Sequence, residues 1–273
     1  MNNESYLMKG NLYKITQTLC NDTTNKSHNI SHVNHTIHTL DYIINELDRD
    51  GVIILDNLFD SQDINKWKQQ IRKFMNEIDI NNSEQVCQFN YNNNVYNIIK
   101  HNDKRFDIWN IDTIITDFTL SKYYMNNLIQ NILDRLMQCK YTCKSIGILP
   151  VYQDKQNGQW HRDVIPLWEN KFDKNIIGID KFNITNPDFY YNLIIPLDDI
   201  ELNNGGTEFI LGSHKLSIDN IHDCSRCICT CSKNNAILFN GKILHRGTAN
   251  YTNNIRDAIY IIYCADWYNE EKM

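Results

Sequence analysis

The sequence predicts a mainly β fold with bracing helices (α+β). Three observations carry this reading. From about residue 144, short apolar runs alternate with turns: SIGILPVY, QWHRDVIPL, FYYNLIIPL, GGTEFILGS, NAILFNG and IRDAIYIIYC. Strands this short at this spacing specify a barrel or sandwich. Two helical stripes precede them. The strand–helix alternation of a parallel α/β sheet is missing from the second half.

Taken in order, residues 1–40 form a polar N-terminal extension rich in Asn, Thr and His. Its histidines His28, His32, His35 and His38 are spaced 4, 3 and 3 apart. On a helix they share a face and could hold a metal, but Asn and Thr form helices poorly, which favours a surface arm. Residues 41–273 read as a single domain, with helices mostly in 60–138 and the β core in 144–265. DGVIILDNLF (50–59) is a strand and turn. In DSQDINKWKQQIRKFMNEID, Asp60 or Ser61 caps a helix whose Ile64, Trp67, Ile71, Phe74 and Ile78 share one face. Met125, Leu128, Ile129, Ile132, Leu133 and Leu136 mark a second helix over 118–138. Both stripes read as core-facing.

With 273 residues, 42% of them hydrophobic, the chain can bury a sizeable core. A net charge of -6 argues against a phosphate-binding surface, so no nucleic-acid partner is expected. The opening MNNESYLMKGNLYK lacks the apolar region of a signal peptide, and no run is long enough to span a membrane, so a cytoplasmic location is expected. Nine cysteines are an odd number, which points to thiols or metal ligands over a full disulfide framework. Cys224, Cys227, Cys229 and Cys231, with His222 nearby, are either a compact zinc or redox site or an exposed loop of reduced thiols.

The chemistry centres on GQWHRDVIP (158–166). On a strand, His161 and Asp163 project to one side with Gln159 beside them, while Trp160 and Arg162 face the other. A lone His-x-Asp is weak: it fits a polar pair as well as a metal edge. NAILFNGKILHRGTANYTNNIRDAIYIIYC strengthens it. It reads as a strand ending at His245, a turn, and a strand starting at Arg256, a hairpin that sets Arg256 near His245 across GTANYTNN. Two histidines and one carboxylate are the ligand set of a non-haem Fe(II) facial triad, with positions left open for substrate and oxygen. An arginine nearby offers a planar fork for a carboxylate such as that of 2-oxoglutarate.

DGVIILDNLFDSQDINKWKQQI, QWHRD, NLIIPLDDIELNNGGTEFILGSHK and AILFNGKILHRGTANYTNNIRDAIYIIY together resemble the phytanoyl-CoA dioxygenase family of Fe(II)/2-oxoglutarate oxygenases, over roughly residues 41–265. The resemblance implies a double-stranded β-helix (jelly-roll, cupin-like) core. It implies His161, Asp163 and His245 as iron ligands, Arg256 as partner of the 2-oxoglutarate carboxylate, and O2 as the oxidant. Thr207 and Gly247 match positions near the cosubstrate or the iron; the family often has Ser where this chain has Gly247. The carboxylate at Asp163 fills a position that related halogenases leave open for chloride, which points to hydroxylation of a C–H bond in a small-molecule or acyl substrate, with release of succinate and CO2. A non-catalytic jelly-roll protein that binds a metal or ligand is the alternative.

In RFDIWNID, Arg105, Asp107 and Trp109 share a strand face and could reach a substrate; a surface ion pair beside a packed Trp fits as well. Tyr152 and Asn192 are pocket candidates by position.

Overall fold

A computed structural model describes residues 29–78, 86–91, 93–102, 104–111, 114–115, 124, 126–164, 188–216, 221 and 223–268. Among these residues, twelve strands form two sheets. The larger has the order β1-β2-β10-β7-β12-β6-β5-β4-β3, built from β1 (His32–Val33), β2 (Val52–Leu55), β3 (Val86–Tyr91), β4 (Asn94–Asn102), β5 (Arg105–Trp109), β6 (Tyr141–Ile148), β7 (Tyr190–Pro196), β10 (Ala236–Asn240) and β12 (Ala258–Ala265). The smaller has the order β11-β8-β9, from β8 (Thr207–Ile210), β9 (Arg226–Ile228) and β11 (His245–Gly247). Apart from the parallel β1–β2 pair, all pairings are antiparallel, as a jelly roll requires.

The central strands bury both faces, so they read as continuous apolar runs; every residue of β7 is buried. Alternate residues then serve two cores. Ile259, Ile261 and Tyr263 of β12 join the outer layer beneath the helices, while Ala258 and Tyr260 face the inside of the roll. The same parity puts Leu193 and Ile195 outside and Ile194 inside, and Leu238 outside with Ile237 and Phe239 inside. Phe209 of the small sheet packs on Phe239 and closes the interior from the other side.

Among the described residues, three helices cover the outer layer. α1 (Leu40–Asp50) is capped by Thr39 and stopped by Gly51 in the left-handed region. α2 (Ser61–Glu77) starts at its cap Asp60 and buries Ile64, Trp67, Ile71 and Phe74, the stripe expected from the sequence. α3 (Asn127–Met137) is capped by Asn126 and buries Ile129, Ile132 and Leu133. It begins later than the expected 118; residues 116–123 and 125 lie outside the described residues. Trp67 is fully buried and touches Phe59 edge-on. Trp67→Ala is expected to cost about 3–5 kcal/mol through lost burial and a residual cavity, read as a lower denaturant midpoint at unchanged slope.

Two readings are corrected here. The helices expected mostly in 60–138 share that region with strands: β3, β4 and β5 run between α2 and α3 as an antiparallel extension of the large sheet. Their mixed, Asn-rich pattern hides the alternation that marks a strand. And from residue 29 the N-terminal segment is tied down, with Ile30 and Val33 buried and β1 paired to β2. His32 contacts Asp56 and His38 stacks on Tyr42; the described histidines of this segment do not form a metal-ligand cluster, and His28 lies outside the described residues.

The segment GSHK turns as a short 3-10 helix (Ser213–Lys215) and fastens the small sheet to α1. Leu244 N–H donates to Ser213 Oγ (2.9 Å), and His214 Nε2–H donates to the Asp48 carbonyl (3.0 Å). Gly51 is glycine for two reasons: its φ is +79°, and a Cβ there would collide with the His214 ring. Burial lowers the His214 pKa to about 4. An unfolded histidine takes up its proton near pH 6.5, so between pH 6.5 and 4 the unfolded chain binds more protons and stability falls with falling pH. His214→Gln is therefore expected to flatten the acid side of the unfolding free energy between pH 7 and 4.5.

Candidate metal centre

His161, Asp163 and His245 come together at the mouth of the roll, their ligand atoms all within 4.8 Å of one another. Backbone geometry builds this group. His161 N–H donates to the His245 carbonyl and His245 N–H to the His161 carbonyl, both at 3.0 Å, which locks the two rings side by side with centroids 4.3 Å apart. Asp163 N–H donates to the Gly241 carbonyl (2.9 Å) and turns the carboxylate toward them. Asp163 Oδ1 then lies 3.6 Å from His161 Nε2 and 3.5 Å from His245 Nε2. Residues 159–164 are not a strand; the His161–His245 bridge alone holds the pair in register.

The hydrogen bonds around the group fix which atoms are free. His161 Nδ1 lies 2.9 Å from the Gln159 carbonyl and His245 Nδ1 lies 3.0 Å from the Ile243 carbonyl. A carbonyl only accepts, so in the neutral rings Nδ1 carries the proton and both Nε2 lone pairs point at Asp163. Burial pushes the His245 pKa down to about 4, against the opposing charge of Asp163, so the ring is neutral at pH 7. Asn192 Nδ2–H donates to Asp163 Oδ2 (2.6 Å) and leaves Oδ1 open. Two imidazoles and one oriented carboxylate with their ligand atoms gathered together suit a divalent transition metal. Trp160 and Arg162 face away, as their parity predicts: Trp160 stacks under Arg246 (4.5 Å), and Arg162 Nη2–H donates to the Ser213 and Leu216 carbonyls.

Arg256 is buried, on the inner face by the parity of β12. Its Nη2–H donates to the Gly205 carbonyl (2.6 Å), while Nε is sealed and has no partner. Asp257 points outward and pairs with Arg72 of α2, so it does not cap Arg256. Loss of water lowers the Arg256 pKa to about 10. The expected hairpin between His245 and Arg256 is not what forms. β11 and β12 belong to opposite sheets, residues 248–257 cross between them, and Arg256 pairs with Val151. His245 and Arg256 therefore belong to different sheets and do not share a ladder.

Thr207 and Gly247 are partners in the small sheet, two positions along from Phe209 and His245, with the Glu208–Arg246 pair between them. A Cβ on Gly247 would strike Arg105 Nη1: the guanidinium of Arg105 occupies the space that a side chain at 247 would take. Arg105 crosses from β5, donates to the Thr248 and Gln156 carbonyls, and lies 3.5 Å from Asp154. Asp107 and Trp109 follow it at the same parity. Of the remaining candidates, Asn192 orients Asp163, Gln159 is exposed and contributes its carbonyl, and Tyr152 belongs to the outer layer, edge-on to Phe106. Tyr152 therefore leaves the site, because residue 152 follows the bend after β6.

The cysteines do not gather around a metal among the described residues, and none of those described is in a disulfide. Cys229 and Cys231 are buried in the inner core and are not exposed thiols; Cys224 packs elsewhere, and His222 lies outside the described residues. A surface depression of about 560 Å³ beside His32, Asp56 and Cys231 includes none of the triad. Among the described residues no helix is long and apolar enough to cross a membrane.

Solved structures share this architecture. The epimerase SnoN from nogalamycin biosynthesis, described as non-heme and alpha ketoglutarate dependent, superposes with a TM-score of 0.58 at 13% identity, covering 83% of this chain and 82% of its own. AviO1 from Streptomyces viridochromogenes Tue57 gives 0.58 at 16% identity over 85% and 98%. The carbocyclase SnoK gives 0.58 at 12% over 84% and 86%. No curated protein sequence matches. The model of the family described as phytanoyl-CoA dioxygenase (PhyH) matches residues 47–258, which span the triad and Arg256 and end inside the last strand, and the chain therefore belongs to this family of iron- and 2-oxoglutarate-dependent dioxygenases.

Proposed function

We propose that His161, Asp163 and His245 hold the iron, that Arg256 binds the far carboxylate of 2-oxoglutarate, and that the enzyme hydroxylates a C–H bond of a small molecule. The single observation that carries this reading is the group of His161, Asp163 and His245, whose ligand atoms all lie within 4.8 Å of one another; Arg256 adds a buried guanidinium with a sealed Nε that no side chain of the described residues satisfies. A buried cation in that state calls for an anion. One related structure, that of SnoN, is described as a complex with Fe3+, alpha ketoglutarate and nogalamycin RO, a small-molecule ligand.

When bound, iron with 2-oxoglutarate activates oxygen and supplies the oxidant, 2-oxoglutarate leaving as succinate and CO2. The chain does the rest. Its two Nε2 atoms and Asp163 Oδ1 would hold the metal; Asn192 keeps that carboxylate from rotating; Arg256 would bind the far carboxylate of the cosubstrate. Phe209 and Phe239, packed around the His245 ring, keep water from that side. Arg105 sits where the family often has a serine at 247 and can give the same carboxylate a second donor. Arg105→Ala is then expected to raise the KM for 2-oxoglutarate about tenfold, the weight of one charged hydrogen bond, with a smaller effect on kcat.

The test is an anaerobic titration of the metal-free protein with Fe(II) and 2-oxoglutarate, followed by visible absorbance. A metal-to-ligand charge-transfer band is expected at one equivalent of each; a fully metallated protein with no band overturns the reading.

A further inference from the structure

The thiols of Cys229 and Cys231 have no role in the scheme above, yet they stand next to its cosubstrate arginine. Both are buried in the inner core. They are alternate residues of one chain segment, so their side chains share a face, and Cys229 S–H donates to Cys231 Sγ. The positive charge of Arg256 reaches both thiols. Backbone bonds explain the closeness. Cys231 exchanges two hydrogen bonds with Ile200 (2.8 and 3.1 Å), and Cys229 N–H donates to the Thr207 carbonyl (2.8 Å). The two cysteines therefore grip the two ends of the segment 200–207. Inside that segment the Gly205 carbonyl accepts from Arg256 Nη2–H. Gly206 fits tightly against the Cys229 carbonyl, which a Cβ at 206 would approach to 2.9 Å. In so close-packed a wall, a change in the spacing of residues 229 and 231 is passed to the loop that holds Arg256.

The pair also has an entry from solvent. Cys231 lines the surface depression beside His32 and Asp56 and keeps 9% of its surface exposed, against 1% for Cys229 behind it. The hydrogen bond to Cys231 and burial hold the Cys229 thiol protonated, so Cys231 is the sulfur that meets a solute. Alternate residues of an extended chain have Cα atoms about 6.6 Å apart, at the upper end of the span a disulfide bridges. Closure is allowed but draws the two residues together, and a bridge under such tension is readily reduced. We propose that Cys229 and Cys231 are an oxidation site, where a hydroperoxide entering the depression converts the two thiols to a disulfide and so loosens the hold of Arg256 on the cosubstrate. Cys231 Sγ loses its proton and attacks the peroxide O–O bond. One oxygen leaves as water or alcohol, and the other stays on sulfur as a sulfenic acid. Cys229 Sγ then displaces that oxygen, which leaves as water with the Cys229 proton. The two thiols give up two electrons, and the peroxide takes them. The effect on the cosubstrate rests on Arg256's binding 2-oxoglutarate.

In the experiment the metal-free full chain is treated with hydrogen peroxide, freed of it by desalting, and divided. One part is alkylated, cut with trypsin and read by mass spectrometry. Cleavage after Arg226 and Lys233 releases residues 227–233, which carry Cys227, Cys229 and Cys231. That peptide is expected to take up one alkyl group, on Cys227, in place of three, and to take up all three after reduction with dithiothreitol. The other part is loaded anaerobically with Fe(II) and titrated with 2-oxoglutarate, the charge-transfer band reporting binding. Oxidised protein is expected to bind 2-oxoglutarate at least about tenfold more weakly than reduced protein, a coupling of ordinary size, and to recover once dithiothreitol has reduced it and been removed. Cys229→Ser and Cys231→Ser should each abolish the bridge and the loss of affinity, and Cys227→Ser neither; Ala replaces Ser where the hydroxyl prevents folding. Three alkyl groups after peroxide, a bridge to any other cysteine, oxidation of Cys231 that stops short of a disulfide, or a disulfide with unchanged affinity overturns the proposal while the reduced protein keeps its band. A reduced, metallated protein that never shows the band overturns the iron and cosubstrate reading, and the effect assigned to this bridge with it.

Discussion

Asp163→Ala is expected to abolish the charge-transfer band and reduce 2-oxoglutarate-dependent succinate formation to the level of metal-free protein. The geometry explains why the effect is total. Asp163 Oδ1 sits 3.5–3.6 Å from both imidazole nitrogens, so it closes one side of the ligand set, and removal leaves two neutral nitrogens that hold a divalent iron poorly. A folding defect is not the cause. The backbone hydrogen bonds of His161 and Asp163 do not involve the carboxylate, and Asp163 keeps some exposure. The variant should unfold at nearly the wild-type midpoint when metal-free. Asn192→Ala is the graded companion. It leaves all three ligands in place but frees the carboxylate, and orienting partners of this kind are worth about 10–100-fold in metal affinity or activity. Equal iron affinity in Asn192→Ala and wild type would refute the orienting role.

Much of this site was legible in the sequence because its parts obey local rules. The α2 stripe from Ile64 to Phe74 has one face and one cap, and the strand runs of the second half are bounded by clear turns. The inner face of β5 followed from parity alone, placing Arg105, Asp107 and Trp109 together. What escaped was set by pairing between distant segments. His161 and His245 are held by reciprocal backbone bonds across 84 residues of chain, a contact that no local pattern encodes. Asn192 looked like a pocket residue because it faces inward; that it meets Asp163 depends on where an irregular segment turns. β3 and β4 were hidden because scattered Asn and other polar residues interrupt the apolar period, and the sheet, not intrinsic propensity, decides their state. The apparent hairpin at 245–256 failed for a related reason. A long polar loop between two strands fits a crossover between sheets as well as a turn within one, and here closing the roll requires the crossover.

Arg256→Met should separate binding from stability, moving them in opposite directions. The wild-type guanidinium is desolvated, its Nε unpartnered, and its pKa drawn down to about 10 from 12.5. A cation whose folded pKa lies below its unfolded value costs stability throughout the range below about pH 10, and the cost is relieved as pH rises from about 10 toward 12.5. The shift corresponds to roughly 3 kcal/mol, less whatever the Gly205 carbonyl returns. Methionine fills most of the same volume without charge. In the absence of cosubstrate, Arg256→Met should therefore unfold at an equal or higher denaturant midpoint. Its affinity for 2-oxoglutarate should fall about 10–100-fold, since a two-pronged charged contact is lost. The added stability that a fixed excess of 2-oxoglutarate with iron gives the wild type should shrink by about 1.4–2.7 kcal/mol, because ligand stabilisation follows the logarithm of affinity. A variant that loses stability yet keeps its 2-oxoglutarate affinity would show that Arg256 is a structural cation held by Gly205, and that the cosubstrate carboxylate lies elsewhere in the roll.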